Sequence, residues 1–325
     1  MSGVVFLKLL AIFAVVAIGW AVARSGKLGP GDPARTLASA AFYIFVPALL
    51  FRSTARIDFA RLDPALLLAF FVPTLLVLGA VYVGERWRLA GSDAPAAAPS
   101  TRAITASFGN AVQVGIPLAA ALFGETGLAL HVTVVSLHAL ILLTVLTTLV
   151  ELDLARSRRH SDPASGRLLR MLATTVRNTV VHPVVLPVLA GLLWNAGGVP
   201  LPGFVDGVLQ MLGEAVVPLC LVLIGVSLAH YGLRGSMRSA IALSLVKLIV
   251  QPLGVLLVGH FLLGLGGIPL AVVVMMSAMP VGSNALIFAQ RYQTLQAEVS
   301  ASIVVSTLGF VVTAPLWLAV LQAIG

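Results

Sequence analysis

The chain has 325 residues, of which 59% are hydrophobic and 10% charged, and its mean hydropathy is +1.05. Soluble domains carry about 25% charged residues, so this composition excludes a soluble enzyme or binding domain. The net charge of +8 comes from basic residues in short segments between apolar runs, which indicates membrane orientation and not nucleic-acid binding. The single cysteine, Cys220, lies in an apolar run and forms neither a disulfide framework nor a thiolate metal site within one chain.

Apolar runs of about 20 residues, long enough to cross a bilayer core of about 30 Å, recur along the chain. The sequence therefore predicts an all-α polytopic membrane protein with ten transmembrane helices. The ten predicted spans lie near 3–23, 36–52, 64–84, 103–123, 126–150, 178–194, 205–229, 239–262, 269–289 and 297–321.

Lys and Arg residues set the predicted orientation of these spans. Fifteen of them follow odd-numbered spans, against three, Arg52, Arg56 and Arg61, on the other side. Because cytoplasmic loops are enriched in basic residues, both termini are predicted on the non-cytoplasmic side of the cell (inner or plasma) membrane.

Five spans per half is an odd number, so the second half must enter the membrane in the opposite direction. The sequence thus predicts two inverted five-helix repeats, 1–155 and 178–325, joined by the basic cytoplasmic connection 156–177. Paired repeats of this kind are typical of secondary transporters.

Spans 4 and 9 each carry Gly, Asn and Pro inside an apolar run, as TASFGNAVQVGIPLAAALFG (105–124) and VVVMMSAMPVGSNALIFAQ (272–290). A proline removes one backbone donor and displaces the carbonyl four residues earlier, so each span is expected to break mid-membrane at Pro117 or Pro280. Freed polar groups are tolerated there only inside protein or beside a wet cavity, which predicts a binding site near the midplane.

Half-helix N-termini at such breaks favour an anion, because they carry partial positive charge and free N–H groups. The carboxamides of Asn110, Gln113 and Asn284 and the hydroxyl of Ser283 are candidate donors to a substrate carboxylate. The alternative is that these side chains only satisfy the backbone groups that the breaks release.

At these motifs the sequence resembles the auxin efflux carrier family of secondary transporters, which includes plant PIN-type carriers and bacterial malate and malonate permeases. The resemblance covers nearly the whole chain. It is carried by FVPALLF (45–51), FGNAVQVGIPLAAALFGETG (108–127), HPVVLPVLAGLL (182–193), VVPLCLVLIGVSLA (216–229), VKLIVQPL (246–253) and MPVGSNALIFAQRYQ (279–293).

The resemblance implies that helices 4 and 9 cross at their proline breaks. The residues that it places at the crossing are Asn110, Gly115, Pro117, Pro280, Gly282 and Asn284. It also implies a scaffold of spans 1, 2, 6 and 7 that offers a homodimer surface, and a moving transport domain of spans 3 to 5 and 8 to 10. The connection after span 5, counted from residue 151 to 177, is about 27 residues long and basic, so plant-style regulation and auxin specificity do not carry over.

Three ionisable residues inside predicted spans are candidates for coupling or charge balance. Lys247 in span 8 balances substrate charge, pairs with an acid, or caps a freed carbonyl near Pro252. His131 and His138, on one face of span 5, either relay protons or are neutral and bonded to backbone. No acidic residue falls in the middle of a span, which argues against a carboxylate-based proton relay and leaves Na⁺, held by unwound backbone carbonyls, as a coupling ion beside H⁺. No metal or cofactor is expected.

The sequence predicts a secondary active carrier of small organic anions, dicarboxylates such as malonate or malate, with the lipid bilayer as its other partner. It would work by elevator-like alternating access around a substrate at the crossing. The alternatives are a carrier of auxin-like aromatic monocarboxylates, and a channel or ligand-binding receptor on the same fold. An enzyme is not expected, because the chain has no HExxH or GxSxG motif and no paired intramembrane Asp.

Overall fold

The computed structural model describes residues 2–29, 31–56, 63–159, 181, 185–231 and 237–324. Regular structure in these ranges is helical, apart from one isolated β-bridge between Gly109 and Val281. The helices are α1 (Ser2–Arg24), α2 (Pro33–Ala40), α3 (Val46–Ala55), α4 (Pro64–Arg88), α5 (Ala98–Ser107), α6 (Ile116–Arg159), α7 (Val185–Ala196), α8 (Gly203–Tyr231), α9 (Met237–Leu245), α10 (Gln251–Leu256), α11 (Gly267–Ser277), α12 (Ser283–Arg291) and α13 (Gln296–Ile324). Short π-helical segments lie at Ala41–Phe45, Ala111–Gly115, Val246–Val250 and Leu257–Leu262.

The predicted all-α polytopic class is confirmed by this helical content and by six segments that are long and apolar enough to cross a membrane. These six are Pro33–Ala55, Pro64–Arg88, Leu118–Leu154, Gly203–Ser227, Met237–Leu262 and Gln296–Ile324. The other predicted spans fall on α1, on α7 and on the broken pairs α5/α6 and α11/α12. The total of ten spans stays a prediction.

Local chemistry sets several helix boundaries. Asp32 and Asp63 each precede a proline and cap a helix, accepting the backbone N–H of Arg35 at 2.9 Å and of Ala65 at 2.8 Å. Proline suits this position because its fixed φ fits the first helical turn. Gly124 has φ 64° and ψ −159° inside α6, and it separates predicted spans 4 and 5 where the sequence places their boundary.

The predicted connection 156–177 begins as the last residues of α6, and its remainder, from residue 160, lies outside the described residues.

Helices α1, α2 and α3 pack on α8, and α7 packs on α3; we call this set the α8 group. Its closest contacts are between backbones. A Cβ on Gly225 of α8 would lie 2.6 Å from the backbone nitrogen of Trp20 in α1, and one on Gly191 of α7 would lie 2.6 Å from the carbonyl oxygen of Phe51 in α3. Glycine at both positions therefore lets these helix pairs approach backbone to backbone.

The remaining helices, α4 to α6 and α9 to α13, pack mainly on one another and form what we call the crossover group. An ion-pair cluster joins their ends. Arg102 of α5 donates to both carboxylate oxygens of Glu298 in α13, at 2.7 and 3.0 Å, and to Glu85 of α4 at 2.7 Å. Ser239 of α9 donates to the same Glu298 at 2.8 Å, so three helices meet at one buried carboxylate, and Arg102 links α4 to it through Glu85.

A second cluster links α4 to α6, where Asp153 accepts from Tyr82 at 2.7 Å and also pairs with Arg86. Tyr292, just after α12, donates to Glu151 of α6 at 3.4 Å. Burial raises the pKa of Tyr292 to about 12, so its hydroxyl keeps its proton and remains a donor at neutral pH. Both contacts join helices of the crossover group to one another.

The ion pairs of the α8 group lie at other helix ends. Asp206 at the start of α8 pairs with Arg52 at 2.8 Å and with Arg56 at 2.6 Å, at the end of α3. Asp32 before α2 also lies near His230 at the end of α8, with 3.7 Å between Oδ1 and Nε2. The ion pairs named here and above thus join helices of the same group.

Candidate functional site

Spans 4 and 9 both break, and the breaks cross inside the crossover group. Residues 108–110 separate α5 from the π segment, and residues 278–282 separate α11 from α12. The breaks run antiparallel: the N–H of Asn110 donates to Pro280 O at 2.8 Å, and the N–H of Gly282 donates to Phe108 O at 2.8 Å. This reciprocal pairing satisfies backbone groups that would otherwise be orphaned, as a break at membrane depth requires.

The position of one break corrects a sequence expectation. Pro280 lies inside its break, as predicted, but Pro117 does not. Span 4 breaks at 108–110, and Pro117 is already the second residue of α6, so the prediction that this proline breaks the span is wrong. Span 4 has no proline at this break. Its helix ends after Ser107 because Gly109 forms a β-bridge with Val281 of span 9.

Glycine permits the close approach at the crossing. A Cβ on Gly282 would lie 2.9 Å from the carbonyl oxygen of Gly109 and 3.2 Å from the ring of Phe108. A larger residue at 282 would therefore push the two breaks apart. Gly115 has a different role: its missing Cβ would lie 2.5 Å from the ring nitrogen Nε2 of His131, so it makes room for that histidine.

A cavity lies where the two breaks face the α8 group. Its volume is about 480 Å³, including the part that is open to solvent. Its polar side is formed by Asn110 and Ser283, both buried, and by half-buried Asn284. The chain resumes its helical course directly after each break, at Ala111 and at Ser283, so two half-helix N-termini lie at this cavity. Three sequence candidates are thus brought together with two backbone ends that favour an anion.

The opposite wall of this cavity is apolar and comes from the other helix group, with Val46 and Leu50 of α3 and Val216 of α8. Sequence reasoning missed these residues, because nothing in their apolar runs distinguishes them from lipid-facing neighbours. It also missed Phe108, whose ring lies 4.3 Å from that of His138, centroid to centroid, and both residues line the cavity.

A second cavity, about 330 Å³ in volume, lies further along α8. It is lined by Leu223, Ile224 and Ser227 of α8 and by Ser300 and Ile303 of α13, among others. Ser283 lines both cavities. The N-terminus of α12 therefore borders both cavities, which lie between the two helix groups.

Lys247 lies fully buried behind the crossing. Its Nζ donates to the carbonyl of Ser277, the last residue of α11. A Cβ on Gly109 would lie 3.3 Å from both Cε and Nζ of Lys247, so the ammonium lies beside one residue of the cavity wall. Of the roles that the sequence leaves open, the structure shows a cap on a freed carbonyl, but at Ser277 and not near Pro252.

One turn further along span 8, Gln251 performs the equivalent task for the other broken span. Its Nε2 donates to the carbonyl of Ser107, the last residue of α5, at 3.2 Å and to Thr74 Oγ1 at 3.0 Å. Sequence reasoning missed Gln251 and Thr74. The available signal was an amide in the apolar run VKLIVQPL, four residues after a lysine.

The two candidate histidines have different surroundings. His131 Nε2 lies 2.7 Å from the carbonyl oxygen of Ala111, at the start of the π segment. His138 lies between the rings of Phe70 and Phe108 and lines the cavity. His131 thus contacts a backbone carbonyl, whereas His138 forms part of the cavity wall. The side chains of Gln113 and Pro117 lie outside the described part of the structure.

Comparison with known proteins gives consistent findings. The family described as membrane transport protein matches residues 4–318. An uncharacterized transporter of Methanothermobacter thermautotrophicus is 26% identical over 316 residues, covering 96% of this chain and 97% of that protein. A protein of Rhizobium meliloti named "Putative malonate transporter" is 24% identical over 310 residues, covering 94% and 92%. The uncharacterized transporter YfdV of Escherichia coli K12 is 31% identical over 178 residues, 55% of each chain.

Proposed function

Since the chain belongs to the membrane transport protein family, we propose that it is a secondary carrier of small organic anions, with dicarboxylates such as malonate as first candidates. The observation that carries this proposal is the cavity at the crossing, where two half-helix N-termini meet the amides of Asn110 and Asn284 and the hydroxyl of Ser283. Backbone N–H groups and amides that point to one space can bind carboxylates without a buried basic side chain in direct contact. The name of the Rhizobium relative agrees with this substrate class.

Lys247 supports an anionic substrate. Its amino group lies behind Gly109, one residue away from the cavity, and in its protonated form it adds positive charge to the partial charges of the two N-termini. Carrying an anion across a bilayer is costly unless its charge is balanced. Because span 8 belongs to the crossover group, this charge would travel with the substrate.

The proposed mechanism is movement of the crossover group against the α8 group. Ion pairs join helices inside each group, and both cavities lie between the groups with Ser283 in common. A shift of the crossover group along α8 would therefore carry the N-terminus of α12 from one cavity to the other. This is the alternating access expected of a broken-helix carrier.

Uptake of labelled malonate, malate and indole acetate into proteoliposomes tests the function. We expect saturable uptake of a dicarboxylate. Asn110→Ala and Asn284→Ala should each raise its apparent KM about tenfold, as loss of a hydrogen bond to a charged group predicts. Gln296→Ala, at the start of α13 and away from the cavity, is the matched control. Wild-type KM values in both asparagine variants would contradict the assignment of the cavity.

A second substrate class is favoured by one observation. The rings of Phe108 and His138 line the cavity, and such surfaces also suit an aromatic monocarboxylate. Competition decides between the two classes: indole acetate that inhibits malonate uptake more strongly than malate does would favour the aromatic substrate. Ligand binding without flux for every compound would instead favour a receptor.

The movement itself is tested by a cross-link between the groups. In a Cys220→Ser background, Ile224→Cys of α8 and Ile303→Cys of α13 place two thiols on the same cavity. A bifunctional thiol reagent should abolish uptake and leave the thermal shift produced by malonate intact, because binding does not need movement. Each single-cysteine variant with the same reagent is the control. Full uptake by the cross-linked double variant would contradict the mechanism.

Membrane sidedness and assembly complete the proposal. Both termini on the non-cytoplasmic side of the cell membrane, and a homodimer formed through the α8 group, follow from the basic-residue pattern and from the family resemblance. Reporter fusions at each terminus measure the sidedness, and the mass of the purified protein after subtraction of detergent measures the assembly.

A further inference from the structure

The crossing of two broken helices creates two ends of opposite polarity. The N-terminal ends at Ala111 and Ser283 face the cavity, whereas the C-terminal ends at Ser107 and Ser277 lie behind it. Each helix C-terminus carries a partial negative charge of about half an electron. Two such ends buried within the membrane need a cation or hydrogen-bond donors nearby.

A sodium ion held by freed carbonyls is one way to meet this need, and carriers with broken helices use it for coupling. In this protein both carbonyls already have side-chain donors. Lys247 donates to Ser277 O, and Gln251 donates to Ser107 O at 3.2 Å. All four residues are fully buried, and the two donors lie one turn apart on span 8.

The ammonium of Lys247 has no carboxylate partner among the described residues. A buried ammonium without a counter-ion is costly unless its surroundings supply negative potential. The end of α11 supplies that potential, and Gly109 leaves the space that Cε and Nζ occupy. The end of α11 therefore offsets part of the charge of Lys247.

We propose that the Lys247 ammonium is a resident cation at the C-terminal end of α11, in the place that a coupling Na⁺ would otherwise take, so that substrate movement is not linked to Na⁺. The link to transport rests on the proposed carrier function, whereas occupancy of the site by the ammonium does not. The inference decides between the two coupling ions that the sequence leaves open, against sodium.

Thermal unfolding of the purified protein tests the site without any substrate. Wild-type protein should have the same Tm in NaCl, KCl and choline chloride of equal ionic strength. Lys247→Ala should lower the Tm by about 5 °C or more, because a buried carbonyl loses a charged donor. Added ethylammonium chloride, which supplies a small cation, should restore part of that loss. Lys27→Ala, which removes an exposed lysine, is the matched control and should behave as wild type.

Two results would overturn the inference. One is a Tm of the wild type that rises specifically with Na⁺. The other is a Lys247→Ala variant with wild-type Tm and no response to ethylammonium. If that variant does not fold, Lys247→Gln replaces it, because glutamine keeps a donor for Ser277 O but lacks the charge. The Tm of this variant and of the wild type is then compared in NaCl, KCl and choline chloride, and a wild-type Tm that rises specifically with Na⁺ overturns the inference.

Uptake then separates this inference from the carrier function. Dicarboxylate uptake that is unchanged when choline replaces Na⁺ supports the inference. Uptake that stops on that replacement overturns it while leaving the carrier function intact. If no compound is taken up at all, the carrier function fails, and the unfolding measurements still decide whether Lys247 is the resident cation.

Discussion

The two helix groups are held together by different kinds of contact. In the α8 group, glycines bring backbones together, as at Gly225 against α1 and Gly191 against α3. In the crossover group, buried polar side chains join the helices, as at Lys247, Gln251 and Glu298. Unbroken helices satisfy their own backbone groups and can pack closely, whereas broken helices need donors for each freed carbonyl. Lys247 and Gln251 thus serve the breaks in the backbone, whereas Glu298 joins the helices through an ion-pair cluster.

The largest loss of stability is expected at the close backbone contact between α1 and α8. Gly225→Leu would place a side chain against the backbone of α1, with its Cβ only 2.6 Å from the backbone nitrogen of Trp20. Backbone atoms cannot rotate away from this contact as a side chain can. We expect a loss of at least about 3 kcal/mol of stability, seen as little monodisperse protein in size-exclusion chromatography. Gly79→Leu on α4, where a Cβ meets nothing within 4 Å, is the control. Equal yields of both variants would show that glycine packing does not hold this group.

A loss of stability of similar size is expected at the ion-pair cluster of the crossover group. Arg102→Met leaves Glu298, whose side chain is 6% exposed, without its bidentate partner, and should cost about 3–5 kcal/mol. Replacing both residues with methionine removes the stranded charge as well. The double variant should therefore have a higher Tm than Arg102→Met alone. A double variant that loses the sum of both single losses would show that the pair is not coupled.

The smallest effect is expected at the ion pair of the α8 group. Arg52 and Arg56 both contact Asp206 at the helix ends, where water screens the charges, so Arg52→Gln leaves Asp206 paired with Arg56. Its Tm should equal that of the wild type within experimental error, at low and at high salt. A clear loss in Arg52→Gln would mean that ionic contacts matter as much in the α8 group as in the crossover group.

Much of the fold follows from local sequence. Apolar runs, Asp-Pro helix starts and the glycine at 124 act within a few residues, so spans and several boundaries are readable without the tertiary structure. The candidate site is readable in part: Asn110, Ser283 and Asn284 lie in two short motifs, and the structure brings these motifs to one cavity. The exact break in span 4 is not readable, because a partner in span 9 sets it.

The sequence by itself determined that this is a membrane protein of many helices, that two spans are broken, and that amides and a hydroxyl accompany the breaks. Only the tertiary structure decided which groups meet: Lys247 with Ser277, Gln251 with Thr74 and Ser107, and the apolar wall from α3 and α8 across the cavity. The reason is physical. Helix formation and its interruption depend on neighbours along the chain, whereas the partners of a freed carbonyl lie 30 and 144 residues away and are chosen by packing.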